Sequence, residues 1–363
     1  MDISESRRKR CSLSLIRNDC ETLKAICLSI RNPVFSMLII PYMALFCRSA
    51  QEYFGVGLID TKTDSEIYDL RNGIKVFGDR YGKGKKRFLF SDESQNNEFR
   101  DQLRFKFTKG LNIHHNLGIY FDDSNHIIGN TQMIADLLSL NGLSEEKRRE
   151  KTFLLGHNLA CTIGSISTGF SSAMPIGPIS INAELLDFFY ADINTNRNSF
   201  FNSGLEKDTN LFMLHLLSNI GFTTHILNHV VEKSNPWILR AKYVIVYYSF
   251  LGLGRLKNHL ESGAQNKDQC LIQSIGQLLH SNEWIFNSKF RNCMMHYDIK
   301  DENSFAISET YFDEKLPYFG LIEECFVGFH YAELINAVDS LSKEIEDLLC
   351  RQFNIEKIRI KRL

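Results

Sequence analysis

Two side chains that can act on a phosphodiester, Arg291 and His296, stand five positions apart in the segment RNCMMH. Imidazole titrates near neutral pH, and guanidinium is a permanently charged fork that matches the oxygens of a phosphate. Attack of a ribose 2′-hydroxyl on its own phosphate needs a proton acceptor, a proton donor and positive charge at the phosphoryl oxygens. The pair therefore offers groups for RNA cleavage that needs neither a metal nor a cofactor. One histidine cannot readily fill both proton roles, so the chemistry predicts a homodimer with two copies of the motif.

A predicted helix over residues 283–299 carries this motif. At about 100° per residue, one side is apolar and is expected to be buried: Phe286, Phe290, Cys293, Met294 and Tyr297. The opposite side holds the polar part of the motif together with one methionine: Arg291, Asn292, Met295 and His296. We therefore expect an outward-facing site with Arg291, Asn292 and His296 as catalytic residues. Lys289 and Ser288 stand beside them and are expected to bind the substrate.

The segment resembles the Arg-x(4 to 6)-His signature of HEPN-domain ribonucleases, in which a polar residue commonly follows the arginine. The resemblance covers roughly residues 205–350. It implies a four- or five-helix bundle with the motif on a late helix, two protomers that share one composite site, and a 2′,3′-cyclic phosphate product. The family includes toxins of toxin–antitoxin pairs, abortive-infection proteins and RNA-cleaving effectors of CRISPR systems. The resemblance thus implies a toxin or antiviral-defence effector, with an antitoxin or regulatory protein as a further partner.

The remaining pattern predicts a mainly α fold, in which a C-terminal antiparallel HEPN-like helical bundle follows an N-terminal α+β region with short strands or hairpins. Long helices joined by short links pack antiparallel. They are predicted over 208–232, 236–260, 267–280, 283–299 and 322–350. Asn235 and Pro236 mark a helix start, because the amide can cap and proline suits the first helical position.

The N-terminal half is predicted to be more varied. Apolar spacing indicates a helix over 16–30 that Asn32 and Pro33 end, and then a second, buried helix whose apolar stretch, 34–47, is too short to span a membrane. Three short runs are rich in β-forming residues: 74–77, 87–90 and 118–121. Helices are expected again near Thr131 and after Ser144, which can cap the first turn, and a loop is expected over 165–181. The resulting division is 1–58 N-terminal helices, 59–130 small β-containing region, 131–204 linking helices and loop, 205–350 bundle, and 351–363 basic tail.

Composition limits the class of protein. The net charge is -1 and charged residues make up 23% of the chain, so RNA would have to bind a local basic patch. The nine cysteines are scattered and never spaced as Cys-x-x-Cys, which gives neither a zinc finger nor a disulfide framework. A reducing cytoplasm without membrane attachment is the expected location.

Other candidate sites are weaker. His225 and His229 stand four apart on a predicted helix, a spacing that can hold a metal, but ordinary structural positions are favoured because no glutamate follows the first histidine. Residues 78–86 (GDRYGKGKK) fit a solvated hairpin tip better than a phosphate-binding loop. The acidic pairs at 122–123 and 145–146 lack the spaced carboxylates of a two-metal nuclease. Two other functions stay open: a non-catalytic HEPN-like module that binds RNA, a nucleotide or a protein, and a helical interaction module with a coincidental motif.

Overall fold

The computed structural model describes residues 3–55, 61–75, 81–102, 115–170, 179–183, 186–196, 199–202, 204–262, 268–302 and 304–363. The helices are α1 Ile3–Ser29, α2 Pro33–Phe54, α3 Thr61–Ile74, α4 Tyr81–Gln102, α5 Thr131–Leu137, α6 Glu145–Gly169, α7 Lys207–Gly221, α8 Asn228–Val230, α9 Pro236–Ser262, α10 Gln269–Ser281, α11 Ser288–Met295, α12 Leu321–Cys325 and α13 Tyr331–Cys350. The strands are β1 Leu117–Phe121, β2 Ile127–Asn130, β3 Phe189–Ile193, β4 Lys300–Asp301, β5 Ser304–Phe305 and β6 Lys361–Arg362. A π-helical turn, Phe222–Leu227, follows α7. The predicted mainly α class with short strands is confirmed, and the strands of the larger sheet are antiparallel.

Helix α9 lies at the centre of the C-terminal helices. Its segment 243–253 is almost wholly buried, and α9 packs against α1, α7, α10, α11 and α13. The predicted cap at Asn235 is confirmed, since its side-chain oxygen accepts from the Trp237 amide at 2.9 Å. The Asn235 amide nitrogen also donates to the Thr22 hydroxyl at 2.9 Å, which fixes the start of α9 against α1.

Helix α2 is the predicted buried helix. The Asn32 side chain accepts from the amides of Val34 and Phe35, and Gly55 ends the helix with a φ of 65°. Its length of 22 residues and its hydropathy would allow it to cross a membrane, yet 78% of its most apolar window is buried inside the protein. Burial in a core explains the apolar composition, because a core helix that is covered on most sides needs few polar residues.

The four-stranded sheet has the order β2-β1-β3-β6, with antiparallel neighbours throughout. Strand β1 confirms the predicted run 118–121, and β2 packs against α7. The contact between β2 and α7 is very close: a Cβ on Gly221 would lie well under 3.0 Å from the carbonyl oxygen of Ile127. A glycine at the end of α7 therefore lets the hairpin β1–β2 reach the π-helical turn.

The predicted strand over 87–90 is wrong, because these residues lie inside α4. In a strand, Phe88 and Phe90 would share one face. In α4 they point to different sides: Phe88 is 1% exposed and stacks edge-on against His215, whereas Phe90 is 60% exposed. A short apolar run cannot separate strand from buried helix by periodicity alone, and packing against α7 decided in favour of the helix.

The structure also bears on four shorter segments for which the sequence made predictions. The run 74–77 begins with the last residue of α3, and residues 76–77 lie outside the described residues. The hairpin tip over 78–86 is wrong from residue 81 onward, where α4 begins, and 78–80 lie outside the described residues. The loop over 165–181 is wrong at its start, since α6 continues to Gly169, and 171–178 lie outside the described residues. The cap at Ser144 is confirmed by its bond from the Lys147 amide.

The basic segment 351–363 is not a free tail. Strand β6 pairs with β3, and Arg362 binds the Asp187 carboxylate at 2.7 Å. Phe353 is 6% exposed and stacks on Phe200 with ring centroids 5.1 Å apart. Buried apolar side chains from α1 to Phe353 form one continuous cluster to which all five predicted regions contribute.

Candidate functional site

Helix α11, which carries the Arg-Asn-x-x-x-His motif, is shorter than predicted. The predicted helix over 283–299 breaks at Asn287, whose side chain caps a new helix by accepting from the Phe290 amide at 2.8 Å. The Asn287 amide also donates to the Cys325 carbonyl at 2.8 Å, which ties this start to the end of α12. Helix α11 ends at Met295, and His296 has the extended backbone angles φ -134° and ψ 148°. The histidine therefore does not follow the helical spacing on which its outward position was predicted.

The buried face of α11 agrees with the sequence in part. Phe290, Cys293, Met294 and Tyr297 are buried as predicted. Phe286 is 42% exposed, because it precedes the new helix start, and Met295 is fully buried although it was placed on the outer face. The Ser49 hydroxyl of α2 donates to the Met295 carbonyl at 2.7 Å. Packing of α2 against the end of α11 thus covers Met295 and turns the chain before His296.

His296 faces α2 and α3. Its Nδ1 lies 3.0 Å from Oε2 of Glu52, and its Nε2 lies 3.4 Å from a guanidinium nitrogen of Arg71. The same carboxylate accepts from Arg48 at 3.0 Å and lies 3.6 Å from Arg71. The His296 side chain is 44% exposed, whereas that of Arg71 is 6% exposed. The histidine is therefore accessible, and a buried arginine and an ionic carboxylate hold its ring.

The electrostatics keep the His296 ring neutral near pH 7. Burial lowers the pKa of His296, and the Arg71 charge lowers it further against the opposing effect of Glu52. Burial opposes ionisation of Glu52, but Arg71 and the hydrogen bond from Arg48 outweigh it and hold the pKa of Glu52 below its ordinary value. A neutral ring donates Nδ1–H to the Glu52 carboxylate and carries its lone pair on Nε2. The buried Arg71 guanidinium contacts this lone pair at 3.4 Å, which is long for a hydrogen bond, so Nε2 accepts a proton only when this contact opens.

A cleft of about 440 Å³ opens beside His296. Its walls include three cationic side chains, Arg8, Lys9 and Lys300. Arg8 and Lys300 share the Asp298 carboxylate at 3.3 and 3.1 Å, and Lys9 pairs with Glu5 at 2.8 Å. Most of these ion pairs are solvent-accessible and hence weak, so a phosphate could displace the carboxylates. The cleft combines a candidate proton acceptor with a rim of mixed charge, in which the carboxylates of Glu52 and Asp298 lie beside the three cations.

The structure does not bring the other predicted site residues to His296. The Arg291 guanidinium lies over the Tyr247 ring of α9 at 5.6 Å, and its buried Nε has no hydrogen-bond partner among the described residues. Lys289 lies between Glu324 at 3.0 Å and Asp301 at 4.0 Å. Asn292 and Ser288 are exposed on α11. None of the contacts described for these residues reaches the imidazole, so the motif is divided between α11 and the extended segment that begins at His296.

Sequence reasoning missed the two residues that hold the imidazole. Glu52 precedes His296 by 244 positions and Arg71 precedes it by 225. Neither belongs to a motif in the sequence, and no local pattern relates them to the histidine. Only the packing of α2 and α3 near the end of α11 shows the connection.

His225 and His229, for which the sequence favoured ordinary structural positions over a shared metal, have different partners. His229 contacts the Asn182 amide at 3.3 Å. His225 instead contacts Glu346 of α13 and stacks on His126, which precedes β2. A second polar cluster therefore exists away from α11, with partners that the spacing of four residues did not predict.

No protein-family model, curated protein or solved structure matches this chain.

Proposed function

We propose that this chain is a metal-independent endoribonuclease that cleaves single-stranded RNA through attack of the ribose 2′-hydroxyl, with His296 as the proton acceptor. One observation carries the proposal: an accessible imidazole lies in a cleft that also holds three cationic side chains, with Glu52 at one ring nitrogen and a long 3.4 Å contact from Arg71 at the other. A neutral imidazole oriented by a carboxylate is suited to general base catalysis near pH 7.

In the proposed reaction, the cations on the cleft wall, Arg8, Lys9 and Lys300, bind the phosphate of the RNA. The Nε2 atom of His296 takes the proton of the 2′-hydroxyl, and the 2′-oxygen forms a bond to phosphorus. The bond from phosphorus to the 5′-oxygen breaks, which leaves a 2′,3′-cyclic phosphate and a 5′-oxygen that needs a proton. Glu52 stabilises the imidazolium that forms, because its carboxylate already accepts from Nδ1.

The proton for the departing 5′-oxygen is proposed to come from the His296 of a second copy of the chain in its imidazolium form, which the anionic phosphate bound between the two copies favours. After the step the first ring carries a proton and the second ring is neutral, so the two rings exchange roles in the next turnover. The HEPN resemblance implies such a composite site between two protomers. Within one chain Arg291 lies against α9, so the role of Arg291 and Asn292 in this proposal is to act on RNA held by the second copy. A cytoplasmic toxin or antiviral-defence effector, controlled by an antitoxin or regulatory protein, is the biological setting we propose.

The test is cleavage of single-stranded RNA by the purified full chain in EDTA. His296→Ala should reduce the rate by at least a hundredfold, because loss of general base catalysis costs about 10² to 10⁴ in rate. His280→Ala is the matched control, since this histidine of α10 has a side chain that is 88% exposed and does not line the cleft. DNA of the same sequence should stay intact. Equal cleavage by wild type and His296→Ala would refute the proposal.

The second candidate function is a HEPN-like module that binds RNA, a nucleotide or a protein without cutting. It is favoured by the separation of Arg291 from His296, since they contact different elements of their own chain. In a gel-shift measurement beside the cleavage assay, this function predicts an RNA complex that persists with no cleaved product.

A further inference from the structure

Four polar side chains from distant parts of the chain meet next to the π-helical turn. Asp122 and His126 lie in the turn between β1 and β2, His225 belongs to the π-helical turn, and Glu346 lies on α13. The His126 and His225 rings stack with centroids 3.7 Å apart and an interplanar angle of 1°. One ligand atom each from Asp122, His126 and His225 lies within 4.8 Å of the others.

We propose that Asp122, His126 and His225 bind one divalent first-row transition-metal ion. Two ligand atoms at about 2.1 Å from the same ion lie roughly 3 to 4 Å apart. The observed separations of up to 4.8 Å need only small side-chain rotations to reach that range. The rings would tilt out of their parallel stack, so that both lone pairs point to one ion.

The carboxylates around the two histidines are arranged as they are at metal sites. Both oxygens of Glu346 lie 2.8 Å from Nε2 of His225, which leaves Nδ1 of that ring for an ion. A histidine that binds a metal almost always donates its other ring N–H to a carboxylate or carbonyl, which fixes its tautomer. Glu346 is 5% exposed, so it holds the His225 ring from inside the protein as an outer carboxylate and does not itself bind the ion.

Hydrogen bonds hold the turn that carries Asp122 and His126 without an ion. One Asp122 oxygen accepts from the backbone amides of Ser124 at 3.0 Å and His126 at 2.7 Å. The other oxygen contacts Nδ1 of His126 at 2.8 Å, so that an ion can replace the proton between them. Both side chains are therefore held together by local hydrogen bonds, and binding orders few additional groups.

The π-helical turn supplies the second half of the site. A π turn inserts an extra residue into a helix and is found frequently at functional sites. Here it begins directly after Gly221, the residue that allows β2 to approach α7. The close approach and the π turn together bring His225 of the bundle onto His126 of the hairpin.

The donor set decides the class of ion. Imidazole suits zinc, copper, iron and nickel, whereas calcium and magnesium prefer ligands that are all oxygen. Two imidazoles and one carboxylate therefore favour an ion such as Zn²⁺, with a water completing its coordination. None of the four residues lines the His296 cleft, so this site is separate from the proposed RNA-cleaving site. Its effect is to join the sheet to the bundle.

The test is calorimetric titration of the full chain with Zn²⁺ after treatment with EDTA and its removal. We expect one equivalent to bind, and His126→Ala to weaken the affinity at least tenfold. The His126 side chain is 40% exposed in a turn, so its removal should leave the fold intact by circular dichroism. His229→Ala is the matched control, because this exposed histidine lies four positions after His225 and contacts Asn182 instead.

Two results would overturn the metal site: no uptake of Zn²⁺ by the wild type, or equal affinity in wild type and His126→Ala. Co²⁺ provides a measurement that needs no variant, because nitrogen ligands change its visible absorption. A Co²⁺-loaded chain whose spectrum matches hydrated Co²⁺ would also contradict the proposal. RNA cleavage is measured in chelator, so the two proposals can fail independently.

Discussion

A buried ion pair next to the His296 segment gives the strongest stability prediction. Arg240 of α9 and Asp19 of α1 approach to 2.7 Å with side chains 3% and 1% exposed. The Arg240 guanidinium also donates to the carbonyls of Cys293 at 3.1 Å and Met294 at 2.7 Å. Burial acts to lower the pKa of Arg240, but the Asp19 carboxylate and the neighbouring tyrosines outweigh it and raise the pKa, so the arginine stays charged inside the protein. Arg240 thus holds the last turn of α11, directly before His296.

Arg240→Met removes the positive charge and both hydrogen bonds while it keeps much of the side-chain volume. The buried Asp19 carboxylate would then keep a short bond from the Tyr297 hydroxyl at 2.7 Å and a longer one from Asn18 at 3.2 Å. Removal of one partner of a buried ion pair costs about 3 to 5 kcal/mol. We therefore expect the free energy of unfolding to fall by about 3 to 5 kcal/mol.

The measurement is urea unfolding followed by circular dichroism. The free energies of unfolding of wild type and variant are compared when both show the same slope of free energy against urea concentration. Arg149→Met is the control, since the Arg149 side chain is 79% exposed and its ion pair with Glu145 lies on the surface of α6. A surface pair contributes about 0 to 1 kcal/mol. The double change of Arg240→Met with Asp19→Asn should cost less than the sum of the single changes, because the uncompensated charge is removed. A loss below about 1 kcal/mol for Arg240→Met would contradict the described burial.

Two further predictions concern α7 and its neighbours. Gly221→Ala should lower stability by about 1 to 3 kcal/mol or more, because its Cβ meets a β2 carbonyl oxygen that cannot move freely. Gly164→Ala in α6, whose Cβ would meet nothing within 4 Å, should instead be neutral or stabilise by up to about 1 kcal/mol in thermal unfolding. Burial and the charge of nearby Arg87 lower the pKa of His215 to about 3. In the unfolded chain, the His215 side chain takes up a proton below about pH 6.5, whereas in the folded protein it stays neutral. Stability should therefore fall as pH drops from about 6.5 towards 3, by up to about 1.4 kcal/mol per pH unit. His215→Leu should show a smaller slope in urea titrations across this range, and an unchanged slope would assign the dependence to other groups.

The close approach at Gly221 has a consequence for both proposals. The glycine joins the hairpin β1–β2 to the C-terminal helices, whereas the His296 cleft is built by α1, α2 and the segment after α11. A substitution at Gly221 should therefore affect binding of a metal by Asp122, His126 and His225 more than it affects cleavage of RNA.

The sequence by itself determined features whose cause is local. The caps at Asn235 and Ser144 follow from side-chain oxygens within three residues of the amides that they bind. The buried stripe Phe290, Cys293 and Met294 follows from helical periodicity. These effects act over about one helical turn, so a single sequence is enough to predict them.

The tertiary structure decided which distant side chains come together. The short run that contains Phe88 is helical because Phe88 packs against Phe212 and His215 of α7. Helix α11 ended before His296 because the contact with Ser49 and the cap at Asn287 set its limits. His296 contacts Glu52, and His225 stacks on His126, although the members of each pair are far apart in the sequence. Contacts of this kind depend on how whole helices pack. Packing minimises the exposed apolar area of the entire molecule, so it cannot be predicted from the spacing of neighbouring residues.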